Sequence, residues 1–271
     1  MALNTLALKL DKLTIKFGGL KAVSDLSIQI PSGAIFGLIG PNGAGKTTVF
    51  NMITGVYKPS AGQILSFGRP IQGLKPYRVT QAGIARTFQN IRLFKDLSVL
   101  DNIKIAMDHN PSLPKIGFFS SVLQSKIYLD NEYNKEEKSV EFLEIFKLGH
   151  RARTVARNLP YGDQRRLEIA RAMATNAKLL LLDEPAAGLN MQESRDLRET
   201  IRMIRERFSL TILLIEHDMR VVMEICDRIA VLDYGIKIAE GTPSEIQKHP
   251  LVIEAYLGRR AKDASKLASK T

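Results

Sequence analysis

The stretch GPNGAGKT, residues 40–47, decides the fold of this 271-residue chain. It fits the pattern G-x-x-x-x-G-K-[S/T], and it lies between an apolar run, Ala34–Ile39, and a segment, Thr48–Thr54, that can continue as a helix. Glycines let backbone N–H groups curl around phosphate oxygens, and the helix N-terminus adds partial positive charge. In this pattern Lys46 reaches the β- and γ-phosphates of a nucleotide and the Thr47 hydroxyl ligates Mg²⁺. The stretch therefore predicts a phosphate-binding loop rather than an unrelated glycine-rich turn.

Apolar, β-branched runs alternate with helical patterns on both sides of this loop, which predicts an α/β fold with a mostly parallel sheet. One helical stripe, with charges on its other face, consists of Leu197, Ile201, Ile204 and Phe208. Residues 242–245 form a capping box with proline at the first helical position. The predicted strands are Leu6–Phe17, Leu26–Ile30, Ala34–Ile39, Gln63–Phe67, Leu179–Asp183, Thr211–Ile215 and Arg228–Asp233.

The run Leu179–Asp183 ends in two carboxylates, Asp183 and Glu184. Ligands of open α/β sheets bind at the carboxyl ends of the strands. We expect Asp183 to hold Mg²⁺ through a water, and Glu184 to polarise the water that attacks the γ-phosphate. An exposed strand end explains such a pair when it occurs alone, but the phosphate-binding loop favours the functional interpretation.

Composition places the chain among ordinary globular proteins, with 45% hydrophobic and 25% charged residues. The single cysteine, Cys226, excludes an intrachain disulfide and a four-cysteine zinc site. The longest apolar runs are far shorter than the ~20 residues that cross a bilayer, and the start has no uninterrupted apolar segment of a signal peptide. We therefore expect a cytoplasmic protein.

The net charge of +11 suits phosphate ligands, anionic lipid or nucleic acid. Solubility and a frayed basic tail explain it equally well, so charge does not choose the partner. Phe118 and Phe119, beside a proline-broken stretch at residues 110–115, either contact a partner or are buried in a helical insertion, and we favour burial.

With its phosphate-binding loop and acidic strand end, the chain resembles the ATP-binding subunits of ATP-binding-cassette (ABC) transporters over nearly its whole length. The resemblance implies an α/β fold with a P-loop NTPase (RecA-like) core, an antiparallel β subdomain and an inserted α-helical subdomain. It also implies an ATPase whose cofactors are ATP and Mg²⁺. The implied divisions are a single domain at 1–258, its core at about 1–90 and 165–240, its helical insertion at about 91–164, and a basic, disordered tail at 259–271.

Four further elements of that family appear in family order. Phe17, 23 residues before Gly40, matches the aromatic residue that stacks on adenine. Gln89 matches the glutamine that senses Mg²⁺ and the attacking water beside the membrane partner, and His217 matches the histidine that touches the γ-phosphate. The segment that begins at Leu159 matches the signature that caps the nucleotide of the opposite subunit. Each residue alone is unremarkable, and its order and spacing give it the functional interpretation.

The resemblance thus assigns three groups of site residues. The catalytic residues are Glu184, His217 and Gln89. The metal-binding residues are Thr47, Gln89 and Asp183. The nucleotide-binding residues are Phe17, Gly40, Pro41, Asn42, Gly43, Ala44, Gly45, Lys46, Thr47, Thr48, Tyr161, Gly162 and Asp163.

Two segments depart from the family pattern. The usual signature Leu-Ser-Gly-Gly-Gln is replaced by LPYGD at residues 159–163, so Pro160 lacks both the serine hydroxyl and a backbone N–H. We expect Asp163 to cap the following helix and to place a carboxylate near a phosphate, partly offset by Arg165 and Arg166. The D-loop, AGLN at residues 187–190, has an amide where a carboxylate is usual.

Within the family, the chain is most similar to the larger ATP-binding subunit of bacterial branched-chain (hydrophobic) amino-acid importers. The resemblance rests on FGGLKAV from residue 17, NMITGVYKP from residue 51, QRRLEIA from residue 164 and EAYLG at residues 254–258. It implies a peripheral protein on the cytoplasmic face of the plasma membrane. Its implied partners are a second ATPase subunit, identical or different, two transmembrane permease subunits and an extracytoplasmic substrate-binding protein.

Three alternatives remain beside this interpretation. One is the ATPase of another ABC transporter, a urea/amide importer or a lipid exporter. A second is a soluble, nucleic-acid-associated ABC ATPase, which the single phosphate-binding loop and the lack of a long heptad tract disfavour, so no nucleic acid is expected as partner. A third is a P-loop kinase or GTPase, which the signature segment argues against.

Overall fold

The computed structural model of the chain describes residues 5–108 and 126–256, and in residues 126–134 it describes the backbone alone. The predictions for residues 110–115, Phe118, Phe119 and the tail at 259–271 lie outside these ranges. The strands in the described ranges are β1 Leu6–Phe17, β2 Leu20–Pro31, β3 Ile35–Ile39, β4 Ala61–Ser66, β5 Arg69–Pro70, β6 Ile84–Arg86, β7 Leu179–Asp183, β8 Thr211–Ile215, β9 Arg228–Asp233 and β10 Ile236–Gly241.

The helices of these ranges surround the strands. None of them, within the part of the chain that the structure describes, combines enough length with enough apolar residues to span a bilayer. Short 3₁₀ turns lie at Gly149–Arg151 and Ala156–Asn158, and residues 250–256 are helical. The remaining helices are α1 Lys46–Ile53, α2 Pro76–Gln81, α3 Val99–Met107, α4 Lys126–Ile145, α5 Tyr161–Ala174, α6 Met191–Phe208, α7 Met219–Ile225 and α8 Pro243–Lys248.

The central sheet has six strands in the order β10-β9-β3-β8-β7-β6. All neighbouring pairs are parallel except β9 and β10, which form an antiparallel hairpin at one edge. Both faces of the sheet are covered: in β7, Leu180 and Leu182 pack into one apolar cluster, whereas Leu179 and Leu181 pack into the other. This two-sided burial explains why the strands are continuous apolar runs. The predicted α/β fold with a mostly parallel core is confirmed.

A second, antiparallel sheet covers one face of the first, in the order β2-β1-β4-β5. Its apolar side packs with helix α1 and with Leu179 and Leu181 of the central sheet. The predicted strands in this region are confirmed, and β2 is longer than predicted because it begins at Leu20. Three strands were not predicted, β5, β6 and β10, because two are only two or three residues long and β10 is a half-exposed edge strand.

The segment between β6 and β7 contains helices α3, α4 and α5, as the pattern predicts, although the exact boundaries of the insertion stay a prediction. In helix α6 the predicted stripe is buried at Leu197, Ile201 and Ile204. Phe208, its fourth member, lies at the helix end and is 36% exposed, with its ring centroid 6.1 Å from that of Phe142. The capping box predicted at Thr242 begins helix α8.

Leu180→Ala tests how far the central sheet depends on this two-sided packing. Leu180 is fully buried, so the truncation leaves a cavity and should lower the free energy of unfolding by about 2–5 kcal/mol. Leu251→Ala is the matched control, because Leu251 is 51% exposed and its truncation should change that free energy by less than about 0.5 kcal/mol. Urea denaturation followed by circular dichroism measures both, and equal losses would contradict the packing described.

Candidate functional site

The phosphate-binding loop connects β3 to α1, and two glycines fit only because they lack a side chain. Gly40 has φ 150°, and a Cβ there would lie 2.1 Å from the carbonyl oxygen of Leu232. Gly45 has φ 104°, and its Cβ would lie 2.8 Å from the oxygen of Ala22. The loop is therefore pressed between the β9–β10 hairpin and strand β2.

Lys46 turns back across this loop. Its Nζ donates to the carbonyl oxygens of Gly40 at 2.7 Å and Pro41 at 3.0 Å, and the side chain is almost fully buried. Helix α1 begins at Lys46 and no side chain of the described residues caps its first turn. The N–H groups at this end are thus oriented towards the loop, where they can bind an anion.

A cleft of about 460 Å³ opens above the loop. This volume is in the range of sites for small molecules and cofactors. Its walls include Glu184 from the end of β7 and His217 from the segment after β8, so the structure brings these two residues to the predicted phosphate site. The other lining residues are Leu20, Lys21, Ala22, Asn42, Gly43, Ala44, Gly45, Lys46, Thr47, Thr48 and Tyr234.

Glu184 lies at the centre of a group of three polar side chains at the rim of the cleft. Gln89 donates its Nε2 hydrogen to Oε2 of Glu184 at 2.7 Å, and Nε2 of His217 lies 2.5 Å from Oε1. The backbone of Glu184 is left-handed, with φ 48°, a conformation uncommon outside glycine. The three residues that the sequence assigns to catalysis therefore form one contiguous group, although they come from three separate parts of the chain.

Asp183 has a partner that sequence analysis missed. Arg86 donates to Oδ2 of Asp183 at 2.6 Å and to Oδ1 of Asn51, on helix α1, also at 2.6 Å. The side chains of Arg86 and Asp183 are only 8% and 5% exposed. Arg86 thus connects Asp183, at the end of β7, to Asn51 on helix α1, which follows the phosphate-binding loop. Its place at the end of β6 was not predictable, because β6 is too short to be recognised from its pattern.

Glu216 is a second missed residue. It is nearly buried, and its carboxylate accepts hydrogen bonds from the backbone N–H of Ala186 at 2.6 Å and of His217 at 3.0 Å. Burial raises the pKa of the Glu216 carboxyl, and the backbone N–H groups oppose that shift. Glu216 therefore joins the segment after Glu184 to the segment that carries His217. Its only sequence signal is its position beside His217.

The signature segment corrects one prediction. Helix α5 begins at Tyr161 with Pro160 as its N-cap, so the prediction that Asp163 caps the helix is wrong. Asp163 lies in the first turn, nearly buried, in ion pairs with Arg166 and with Nε of Arg151 at 3.1 Å. The positive charges of these two arginines offset the negative charge of the Asp163 carboxylate. Arg165, which was also expected to do so, pairs with Glu168 instead.

A proline is tolerated at this N-cap because the N–H of an N-cap residue makes none of the helix's own hydrogen bonds. Among the described residues no side chain caps the helix, so the N–H groups of its first turn, from Tyr161, Gly162 and Asp163, can serve an anion. The Tyr161 hydroxyl donates to the carbonyl oxygen of Ala187 in the D-loop at 3.2 Å. The structure does not bring this turn to the cleft within one chain, because none of the three residues lines it.

The structure also shows the surroundings of two other residues singled out in the sequence, Phe17 and Asn190. Phe17 is 45% exposed and does not line the cleft; its ring meets that of Tyr57 edge-on at a centroid distance of 5.2 Å. Asn190, the amide of the altered D-loop, is the N-cap of α6 and accepts from the N–H groups of Gln192 and Glu193. Its side chain therefore has a local helix-capping function.

Comparison with known proteins shows the family to which the chain belongs. The family model described as "ABC transporter" matches residues 23–187, and the model described as "Branched-chain amino acid ATP-binding cassette transporter" matches residues 237–262. The high-affinity branched-chain amino acid transport ATP-binding protein LivG of Salmonella typhimurium is 46% identical over 251 residues, 93% of this chain and 97% of that one. The lipopolysaccharide export system ATP-binding protein LptB of Haemophilus influenzae is 32% identical, with 93% and 97% covered.

Among solved structures, the ADP conformation of an ATP-binding cassette of an ABC transporter superposes with a TM-score of 0.80 at 31% identity. The match covers 93% of this chain and 99% of that one. Fold and site thus define a P-loop ATPase domain of the ATP-binding-cassette type. The chain belongs to the ABC transporter family.

Arg86→Met tests the buried pair with Asp183. Removal of one partner leaves a buried carboxylate without its counter-ion, so the free energy of unfolding should fall by about 3–5 kcal/mol. Arg157→Met removes an arginine from an ion pair with Asp96 that is mostly exposed, and it should leave the stability nearly unchanged. Both values follow from guanidinium denaturation, and a loss no greater than that of the control would refute the importance of the Arg86 pair.

Proposed function

We propose that the chain is the ATP-hydrolysing subunit that powers an ABC importer of branched-chain or other hydrophobic amino acids. The observation that carries the ATPase proposal is the Glu184 carboxylate, held by Gln89 and His217 at the rim of a cleft lined by the phosphate-binding loop. The substrate class rests on the relatives: identity is 46% to a branched-chain amino acid transport protein and 32% to a lipopolysaccharide export protein.

The residues around the cleft suit a nucleotide with Mg²⁺. Lys46 and the uncapped start of α1 offer positive charge to the phosphates, and Phe17 offers a half-exposed ring to adenine. For the metal we propose Thr47, Gln89 and Asp183. Among the described residues no cluster of three His, Cys, Asp or Glu side chains could hold a metal by itself. Mg²⁺ binds in proteins through one or two carboxylates together with phosphate oxygens, and Asp183 offers one such carboxylate.

The mechanism assigns a separate task to each residue. Bound MgATP supplies the phosphoanhydride bond whose cleavage releases free energy. Glu184 accepts a hydrogen bond from water and orients it in line with the γ-phosphoryl group. Gln89 and His217 fix the two oxygens of Glu184, so that little reorganisation remains at the moment of reaction. Lys46 stabilises the charge that develops on the phosphate oxygens.

We infer that the site is completed by a second ATPase subunit, identical or different. The first turn of α5, with Tyr161, Gly162 and Asp163, has N–H groups suited to an anion but lies away from the chain's own cleft. A head-to-tail pair brings this turn of one subunit to the nucleotide of the other. Nucleotide that binds the closed pair more tightly shifts the pair towards closure, and a shift from 1:99 to 99:1 needs about 5.5 kcal/mol of differential binding.

The further partners that we propose are two transmembrane permease subunits and an extracytoplasmic substrate-binding protein. The chain would lie on the cytoplasmic face of the plasma membrane as a peripheral subunit, with the segment at Gln89 beside the permeases. Closure of the ATPase pair would then move the permeases, and hydrolysis at Glu184 would reopen the pair.

Glu184→Gln is the test of the catalytic assignment. The amide keeps the size of the side chain but does not polarise water as a carboxylate does, so turnover in the paired complex should fall by about 100-fold or more. ATP affinity should stay within about twofold, because the phosphate-binding loop is unchanged. Phosphate release and nucleotide titration measure the two quantities.

Glu206→Gln is the matched control, the same substitution on an exposed position of helix α6. It should leave both turnover and ATP affinity unchanged. Wild-type turnover in Glu184→Gln would show that Glu184 does not act on the attacking water.

The substrate class has its own test in vesicles that contain the complete transporter. Leucine, isoleucine or valine, presented with the binding protein, should raise the ATPase rate and enter the vesicles. Stimulation by urea or by a lipid, with none by these amino acids, would replace the amino-acid proposal by one of the two alternatives.

A further inference from the structure

Arg165 and Glu168 form a buried ion pair on helix α5, and neither residue has a role in the proposed mechanism of ATP hydrolysis. Nη1 of Arg165 lies 3.0 Å from Oε2 of Glu168, and the two side chains are 1% and 2% exposed. Burial of two charges is unfavourable unless their remaining hydrogen-bonding capacity is also satisfied. Nε of Arg165 has no hydrogen-bond partner among the described residues, whereas the other polar atoms of the pair do. The partners of those atoms indicate what the pair holds.

Nη2 of Arg165 donates to the Tyr161 hydroxyl at 3.1 Å, and the other partners are backbone groups of the segment that carries Gln89. Arg165 donates to the carbonyl oxygens of Phe88 at 2.7 Å and Gln89 at 2.5 Å. Oε1 of Glu168 accepts from the N–H groups of Phe88 at 3.3 Å and Arg92 at 3.1 Å. We call the ion pair with these four bonds the α5 clamp.

The segment held by the clamp has no regular structure of its own. The backbone ladder along β7 ends where the N–H of Thr87 donates to the carbonyl oxygen of Leu181 at 2.9 Å. Residues 88–93, which follow, are neither helix nor strand. Within this segment Gln89 donates to Glu184, at the centre of the site. The clamp thus holds the main chain on both sides of Gln89, while the Gln89 side chain holds the proposed base.

We propose that Arg165 and Glu168 are positioning residues that make Gln89 move with helix α5. The inference rests on the proposed ATPase function. Because α5 begins at the signature turn of Tyr161 and Gly162, any shift of that turn on a partner's nucleotide is carried through α5 and the clamp to Gln89 and so to Glu184. The clamp thereby couples closure of the ATPase pair to the alignment of the base.

The chemistry of Arg165 is specific to this role. A guanidinium is planar and presents several N–H donors in a fixed fork, so it can serve Phe88, Gln89 and Glu168 at once. A lysine keeps the charge but is a point donor on a flexible stem. Arg165→Lys should therefore keep the buried pairing and lose the alignment of the segment.

The experiment uses the full chain in complex with its partners and MgATP. In the double variant Arg165→Met/Glu168→Leu, two apolar side chains replace the charges, which keeps the core filled without a lone buried ion. The amides of Phe88 and Arg92 should exchange hydrogen about tenfold faster. Turnover should fall by about tenfold to 100-fold because Glu184 is misaligned, while ATP affinity stays within about twofold.

Arg205→Met is the matched control, because Arg205 also combines an ion pair, with Asp227 at 3.1 Å, with a bond to a backbone carbonyl, that of Gly33 at 2.7 Å. It should lower stability without a change in turnover or in exchange at Phe88 and Arg92. Arg165→Lys gives the same readouts if the double variant does not fold.

Unchanged exchange and unchanged turnover in a folded clamp variant would overturn the proposal. Loss of ATP affinity together with turnover would also overturn it, because the clamp would then support the fold and not the alignment. A wild-type complex that binds MgATP and never hydrolyses it would instead refute the proposed ATPase function, a result distinct from either of these.

Discussion

The carboxyl ends of the parallel strands β3, β7 and β8 meet at one edge of the central sheet, and the site depends on this constraint. Strand β3 leads into the phosphate-binding loop, β7 into Asp183 and Glu184, and β8 into Glu216 and His217. Parallel strands need crossover connections, which place residues that are distant in sequence side by side at this edge. Neither the loop nor the carboxylates would form a site without that arrangement.

Buried charged side chains also hold the segments of the site in position. The side chains of Arg86, Arg165, Glu168 and Glu216 are nearly or wholly buried. Arg86 bonds to Asp183 and Asn51, Arg165 and Glu168 together bond to the segment that carries Gln89, and Glu216 bonds to the segment after Glu184. Such charges contribute little net stability, because desolvation offsets most of the attraction. What they supply is position, since each hydrogen bond tolerates only a narrow range of distance and angle. The proposed base thus rests on a network that reaches from α1 to α5.

The two helix N-termini that can serve an anion have different surroundings. The start of α1 lies at the chain's own cleft, whereas the start of α5 lies away from it and beside the D-loop. The donors at the start of α5 therefore do not serve the chain's own cleft. In the proposed head-to-tail pair, this division of the donors between two surfaces would let ATP binding drive association of the subunits.

Resemblance to the ABC transporter family made Gln89 and His217 candidates. The sequence by itself determined the phosphate-binding loop, the strands β3, β7, β8 and β9 of the central sheet and Glu184 as a candidate. Those features are local: glycine positions, apolar runs and spacing are visible without knowledge of the fold. Strands β5, β6 and β10 were missed because they are too short or too exposed to have a strong pattern, and the cap of α5 was assigned to Asp163 instead of Pro160.

Only the tertiary structure decided which groups contact one another. The pair Arg86–Asp183, the bonds of Arg165 and Glu168 to the segment that carries Gln89, and the bond of Glu216 to Ala186 connect residues about 30 to about a hundred positions apart. No periodicity records such contacts, because a buried ion pair forms only where packing excludes water and brings its backbone partners within hydrogen-bonding distance.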